Sequence, residues 1–322
     1  MPIFGWDMSH FDAPSIGSAV ADGISFLTHK AGGDKNDTEL GAWWSGVRGL
    51  DDRVLLGAYW VLYPGNPRYR AELFLSRLDD QCPGWRLRPF ILQVDCEKWN
   101  GDAGTVPSRS EIAAFCDRLV ERTPKLRPIV YAPKWVYGDR LAGLEYPLWA
   151  SSYVDGSGGF RKLYPGDSSD RWNAYSGQVP AILQYSSSAT IGGQSTCDAN
   201  AYRGTLAELT ALVAPGWTED DMPTADEVAD AVIERLDKAG IRNGRTVGGT
   251  LDALAVNSVA TVGVLKTIAS KDAVDEQALA AALAPAVAEL VLAGLPADAP
   301  VTSEQLQAAI VGALRELAAP AA

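Results

Sequence analysis

Two carboxylates at alternate positions, Asp95 and Glu97, carry the most chemical information in the chain. They stand in the segment PFILQVDCEKW, where the apolar run from Phe90 to Val94 predicts a buried strand. Side chains alternate along a strand that rises about 3.3 Å per residue, so positions i and i+2 emerge on one side, roughly 6.5 to 7 Å apart. Like charges that close at the edge of an apolar core raise the proton affinity of at least one of them. A proton-bearing acid and an ionised partner then share one site, as cleavage of a glycosidic bond requires. An Asp-x-Glu at a strand end also serves loop solvation or a metal ion, so the rest of the chain has to decide.

The elements that would position this pair follow a simple rhythm. Short apolar runs at Ile3 to Trp6, Ile24 to His29, Leu55 to Val61, Pro89 to Val94, Pro128 to Tyr131, Pro147 to Ala150 and Ile182 to Tyr185 read as strands. Helical patterns occupy Tyr69 to Gln81, Ser110 to Arg122 and Thr205 to Val213. Strands alternating with helices predict an α/β fold with a mainly parallel sheet, and this number of strands suggests a barrel. Working residues of such barrels gather where the strands end, because the loops there share one mouth. Applied strand by strand, the rule selects Asp7, Tyr59, Asp95 with Glu97, Tyr131, Trp149 with Tyr153 just beyond, and Gln184. Carboxylates and amides bond sugar hydroxyls while aromatic faces stack on sugar rings, so the set suits a carbohydrate. Core packing explains each Trp or Tyr taken singly.

Composition bounds what else the chain can be. With 322 residues, 47% of them apolar and 21% charged, it can bury a sizeable core. Every Trp, Tyr and Phe lies at or before Trp217, which marks a boundary. Residues 215–322 hold 16 acidic against 7 basic residues, net −9, and residues 1–214 hold 24 against 21, net −3. Neither part has the basic footprint of a nucleic-acid binder. The segment MPIFGWDMSHFDAP lacks the features of a secretory signal and no apolar run is long enough for a bilayer, so a product made in the cytoplasm without membrane insertion is expected. Cys82, Cys96, Cys116 and Cys197 have no Cys-x-x-Cys spacing, and His10 and His29 are the sole histidines, so reduced buried thiols are expected and a structural zinc site is not.

Once these residues are in view, the chain from residue 3 to about 212 resembles glycoside hydrolase family 25, the Chalaropsis-type lysozymes found in many bacteriophage endolysins. The matching segments occur in family order: FGWDMSHFD, KAGG, GAYWVLYPG, ILQVDCEKW, RPIVYAPKWVY, PLWASSY and ILQYSSSATIGGQSTCDANAY. The resemblance implies an irregular TIM-like barrel of about eight strands with reduced helices. It also implies hydrolysis of the β-1,4 bond between N-acetylmuramic acid and N-acetylglucosamine in peptidoglycan, with neither metal nor organic cofactor. On this resemblance the catalytic set is Glu97, Asp95, Asp7 and Asp198: Glu97 the general acid, and Asp95 the stabiliser of positive charge at the anomeric carbon or the group that orients the substrate's acetamido. Asp7 and Asp198 would complete an acidic floor that keeps the proton on Glu97; Asp198 read alone is equally a loop cap. Tyr59, Tyr131, Trp149, Tyr153 and Gln184 are the expected substrate-binding residues. Lys30-Ala31-Gly32-Gly33 departs from relatives that carry an acidic residue after Lys-Ala-Thr. A lysis enzyme that waits in the host cytoplasm is the leading expectation, and a virion-tail component that penetrates the wall is the alternative.

The organisation expected is a catalytic barrel over 1–213, a linker over 214–223 and an Ala-rich all-α region over 224–322. Thr224 and Thr302 supply helix starts and Gly240 a stop, and Val228, Val232 and Leu236, like Leu306, Ile310 and Leu314, follow helical spacing. Narrow apolar stripes on Ala-rich helices call for a partner, which favours homo-oligomerisation or attachment. Without aromatics, and with a net negative charge, the region is a poor candidate for binding an anionic wall.

Overall fold

A computed structural model describes residues 1–12, 15–50, 53–98 and 106–217. The expected linker and helical region from residue 218 onward lie outside the described residues. Along the chain the elements are β1 (Ile3–Met8), α1 (Ile16–Ala21), β2 (Ile24–Gly32), α2 (Leu40–Val47), β3 (Leu55–Val61), α3 (Pro67–Gln81), β4 (Ile91–Asp95), α4 (Arg109–Arg122), β5 (Ile129–Tyr131), α5 (Lys134–Tyr137), β6 (Leu148–Ser151), β7 (Gly158–Gly159), α6 (Phe160–Leu163), β8 (Ile182–Ile191), β9 (Gln194–Tyr202) and α7 (Leu206–Val213). β1 to β6 pair successively in parallel, β6 pairs in parallel with β8, and β9 closes the ring antiparallel to both β8 and β1. The result is a closed eight-stranded mixed barrel with few helices, as the sequence led us to expect.

The helices start where the backbone chemistry allows. Pro67 at the first turn of α3 lacks an N–H that would in any case have no intrahelical acceptor, so the helix begins ahead of the expected Tyr69. Ser108 with Glu111, and Thr205 with Glu208, form reciprocal capping boxes on α4 and α7. One face of α3 and α4 carries Phe74, Leu78, Phe115 and Leu119, all fully buried, and the rings of Phe74 and Phe115 stack 6.4 Å apart.

Alternation along the strands sorts side chains into two cores. Outward positions such as Trp6, Leu27, Leu56, Trp60 and Val94 pack under the helices. Inward positions Phe26, Leu55, Ile91, Ile129 and Ile182 fill the lower barrel, and Leu209 and Val213 of α7 plug its base. Gly5 and Gly57 make this filling possible: a Cβ on Gly5 would lie 2.1 Å from the Phe26 ring, and one on Gly57 would lie 2.5 Å from Ile91 Cβ. Above that layer the interior turns polar, beginning with Thr28 Oγ1 donating to Gln93 Oε1 at 2.7 Å. The polar upper interior is therefore the natural place for a site.

β9 is the strand the sequence reading did not place. Its segment is rich in Ser, Thr and Gln and lacks an apolar run. The Gly192–Gly193 pair, with φ of 56° and 87°, makes the two-residue reversal that a tight hairpin requires, and it carries β8 well past Tyr185 before turning.

Candidate active site

Asp95 closes β4 on the inward side, two and four residues after Gln93 and Ile91. Pairing continues beyond it, since Cys96 N–H donates to Tyr131 O and Asp95 O accepts from Leu62 N–H. Cys96 therefore turns outward into the helical layer and Glu97 returns to the interior side. Asp95 is 4% exposed, and its Oδ1 has no hydrogen-bond partner among the described residues. Glu97 is only partly buried, which gives it access to a substrate oxygen.

Asp7 and Asp198 meet across the barrel closure. They are direct partners in the antiparallel pairing of β1 and β9, which places Asp198 within a strand and not in a loop. Gln184 Nε2 lies 3.0 Å from both carboxylate oxygens of Asp7, and Asn200 Nδ2 lies 2.5 Å from Oδ1. Gln184 Oε1 accepts from Tyr131 Oη at 2.9 Å and from Tyr153 Oη at 2.7 Å. Asn200 Oδ1 accepts from the Trp149 indole at 2.9 Å.

The four carboxylates feel one another. Burial, then the charge of Asp7, pushes Glu97 up to about 7, with Lys30 opposing. Burial, then Glu97 and Asp7, drives Asp95 well above the usual carboxylate range, again against Lys30. Burial, then Asp7, Asp12 and Glu97, takes Asp198 to about 9. Burial raises Asp7 too, to about 6, while the Asn200 and Gln184 amides pull it back. At neutral pH the mouth therefore holds protons on several of its acids, and Glu97 is the one poised near neutrality.

The remaining expected residues fall into four places. Tyr59 stands among the acids, its phenol driven up by burial and then by the charges of Asp7, Asp95 and Asp198. Tyr131 and Gln184 are buried within the network, and Tyr153 is 39% exposed at the rim. Trp149 is fully buried, with its ring against Phe26 at 5.9 Å, so it has no face to offer a sugar; it belongs to the layer beneath the floor. Three contributors were not selected from the sequence. Lys30 projects inward two residues after Thr28 and supplies positive charge beside Asp95 and Glu97. Asn200 is the second residue after Asp198 on the same face of β9. Trp135, in the short helix α5 after β5, is 61% exposed and meets Tyr153 edge-on at 6.0 Å, extending an aromatic rim. Among the described residues, no group of three or more His, Cys, Asp and Glu is arranged to hold a metal ion.

Fold and site together define a closed barrel with carboxylates gathered at one mouth. No family model and no curated protein matches the chain. Solved structures do. A muramidase from Trichobolus zukalii aligns over 66% of this chain and 99% of its own, at 17% identity and a TM-score of 0.50. A spore cortex lytic enzyme from Clostridium perfringens aligns over 64% of this chain and 69% of its own, at 18% identity and a TM-score of 0.50. A family 25 lysozyme from Aspergillus fumigatus aligns over 66% of this chain and all of its own, at 20% identity and a TM-score of 0.49. At these identities the likeness is one of fold: the barrel has the architecture of the family 25 lysozymes and muramidases, to which the sequence motifs pointed.

Proposed function

We propose that the chain is a glycoside hydrolase of the lysozyme type, cutting the β-1,4 bond between N-acetylmuramic acid and N-acetylglucosamine in peptidoglycan. The observation that supports it is the meeting of Asp7, Asp95, Glu97 and Asp198 at one end of the barrel, with Glu97 held near neutrality and partly exposed. In this reading Glu97 gives its proton to the glycosidic oxygen as the bond to the anomeric carbon breaks. Asp95, buried and with an unpartnered Oδ1, accepts from the acetamido N–H as its oxygen attacks internally or, in its ionised form, stabilises the positive charge left on that carbon; its raised proton affinity makes the first role the one open to the neutral carboxyl. Water completes the hydrolysis, returning a proton to Glu97. Tyr59, Tyr131, Tyr153 and Gln184 bound the sugar, and Trp135 widens the platform.

Removing the acid tests this directly. Glu97→Gln keeps the shape but holds no transferable proton, and loss of general acid catalysis costs about 10²- to 10⁴-fold in rate. Full clearing of purified peptidoglycan by a folded Glu97→Gln protein would refute the assignment. Mass spectrometry of the fragments identifies the bond, since muramic acid at the new reducing end is the expected product.

The biological setting belongs to the same proposal. No helix among the described residues is long and apolar enough to cross a membrane. A lysis role, with accumulation in the host cytoplasm before the wall is reached, fits the endolysin-like motifs, and fractionation before and after lysis tests it. For residues 224–322 we propose self-association, which sedimentation of the full chain against a 1–217 truncation tests.

A further inference from the structure

We propose that Trp149, Tyr131 and Tyr153 are positioning residues: their donor groups turn the side-chain amides of Asn200 and Gln184 so that both present N–H to Asp7, which makes Asp7 the resident anion of the mouth. This deepens the hydrolase reading above and rests on it for its catalytic consequence, though not for its test.

The argument begins with a group that has no choice. An indole nitrogen donates and cannot accept. The Trp149 indole lies 2.9 Å from one end of the Asn200 amide, so that end is the oxygen. The NH₂ end then faces the other way, where Asp7 Oδ1 lies 2.5 Å distant. Trp149 is fully buried, so no water competes for its proton, and Asn200 is buried as completely.

Gln184 is fixed by a second set of donors. Its Oε1 takes the hydroxyls of Tyr131 and Tyr153 at 2.9 and 2.7 Å, and its Nε2 reaches both oxygens of Asp7. The reversed amide would aim an oxygen at two carboxylate oxygens 3.0 Å away and would strip the buried Tyr131 hydroxyl of this acceptor. Tyr153 is itself held, since Arg171 donates to its carbonyl and Val154 N–H donates to Tyr185 O. Donors from two amides, approaching from β8 and β9, thus converge on a single carboxylate and favour its charged form.

Several other groups face Asp7: Asp198 from β9, Asp95 and Glu97 from the end of β4, Tyr59 from β3, Asp12 from the loop after β1, and Tyr153. Lys30 from β2 acts on Asp95 and Glu97. The charge on Asp7 raises the proton affinity of both Glu97 and Asp198. Hydroxyl and indole groups that never touch the glycosidic bond therefore set the proton on the acid that does.

The signature is a pair of opposite shifts. Loss of the tyrosine hydroxyls frees Gln184 to reverse, Asp7 then binds a proton more readily, and Glu97, relieved of that negative charge, binds its own less readily. We expect carboxyl-carbon NMR titration of Tyr131→Phe/Tyr153→Phe to show Asp7 moving up by about one pH unit, a tenfold change in proton affinity, and Glu97 moving down. Tyr153→Phe alone, at a residue exposed at the rim, should show the same opposed pair at smaller amplitude and covers the case in which the double variant does not fold. Titrations unchanged from the parent, or both acids falling together toward ordinary carboxylate values as simple hydration would cause, overturn the proposal. Because the readout needs no substrate, it stands or falls separately from the hydrolase assignment.

Discussion

Asp7 and Asp198 face each other as partners in one antiparallel pairing, yet their proton affinities differ: about 6 for Asp7, which accepts from two amides, and about 9 for Asp198, raised by burial and by Asp7 itself. Carboxyls whose affinity rises on folding contribute stability that is complete below their unfolded values near 4 and is lost as pH climbs through the folded ones. The window here runs from about pH 4 to about pH 9. The folded barrel should therefore lose stability across that range. Asp198→Asn, which cannot ionise, should be more stable than the parent at pH 9 by on the order of 1 to 2 kcal/mol, and the gap should close at pH 5. Calorimetric melting at both pH values measures this; a gap independent of pH contradicts it.

Hydrolysis should follow a narrow bell. Asp7 must lose its proton, at about 6, and Glu97 must keep one, at about 7. The acid limb of kcat/KM then belongs to the first and the alkaline limb to the second, as apparent values of a coupled set. Rates on soluble glycan fragments across pH 4 to 9 would reveal it. A rate still climbing at the alkaline end would exclude Glu97 as the proton donor.

Trp135 contributes area and no proton. Replacing it with Ala removes the exposed half of its edge-on pair with Tyr153. The expected result is a several-fold rise in KM with kcat little changed, about 1 kcal/mol of binding. Steady-state kinetics on glycan chains long enough to reach the rim tests it, and a fall confined to kcat would place Trp135 in the chemistry instead.

Gly57 is a packing requirement. Its missing Cβ leaves room that Ile91 and Thr28 occupy, at 2.5 Å and 2.9 Å from where a methyl would sit. Gly57→Ala should cost about 1 to 3 kcal/mol in urea unfolding, the usual penalty of overfilling a closed interior. Undiminished stability would mean that the barrel widens with ease.

Much of this was legible because local signals agreed with the global pattern. The apolar run before Asp95 and Glu97 gave both the strand and the side on which its acids emerge, and the helical patterns expected from Ser110 and Thr205 begin within a residue of α4 at Arg109 and α7 at Leu206. β9 escaped because its outer face needs only small residues such as Ala199 and Ala201, so the segment shows none of the apolar bulk by which strands are recognised. Trp149 was misplaced for a different reason. Alternation tells which residues enter a barrel but not how deep they lie, and depth depends on the stagger between strands, which pairs Tyr131 with Trp149 but Ser151 with Gln184. Lys30 gave no cue in the sequence, because its value depends on carboxylates contributed by a strand two places away.

The reversal at Gly192–Gly193 also decides where the chain leaves the barrel. β9 descends from the acids to Tyr202 beside Ile3, α7 seals the underside, and Trp217 comes to rest over Lys125, 5.0 Å from its ammonium. The described chain thus ends near the floor of the barrel, with the open rim at the other pole. A dye, bead or surface linker joined after residue 217 of the isolated barrel would begin on the side away from the carboxylates.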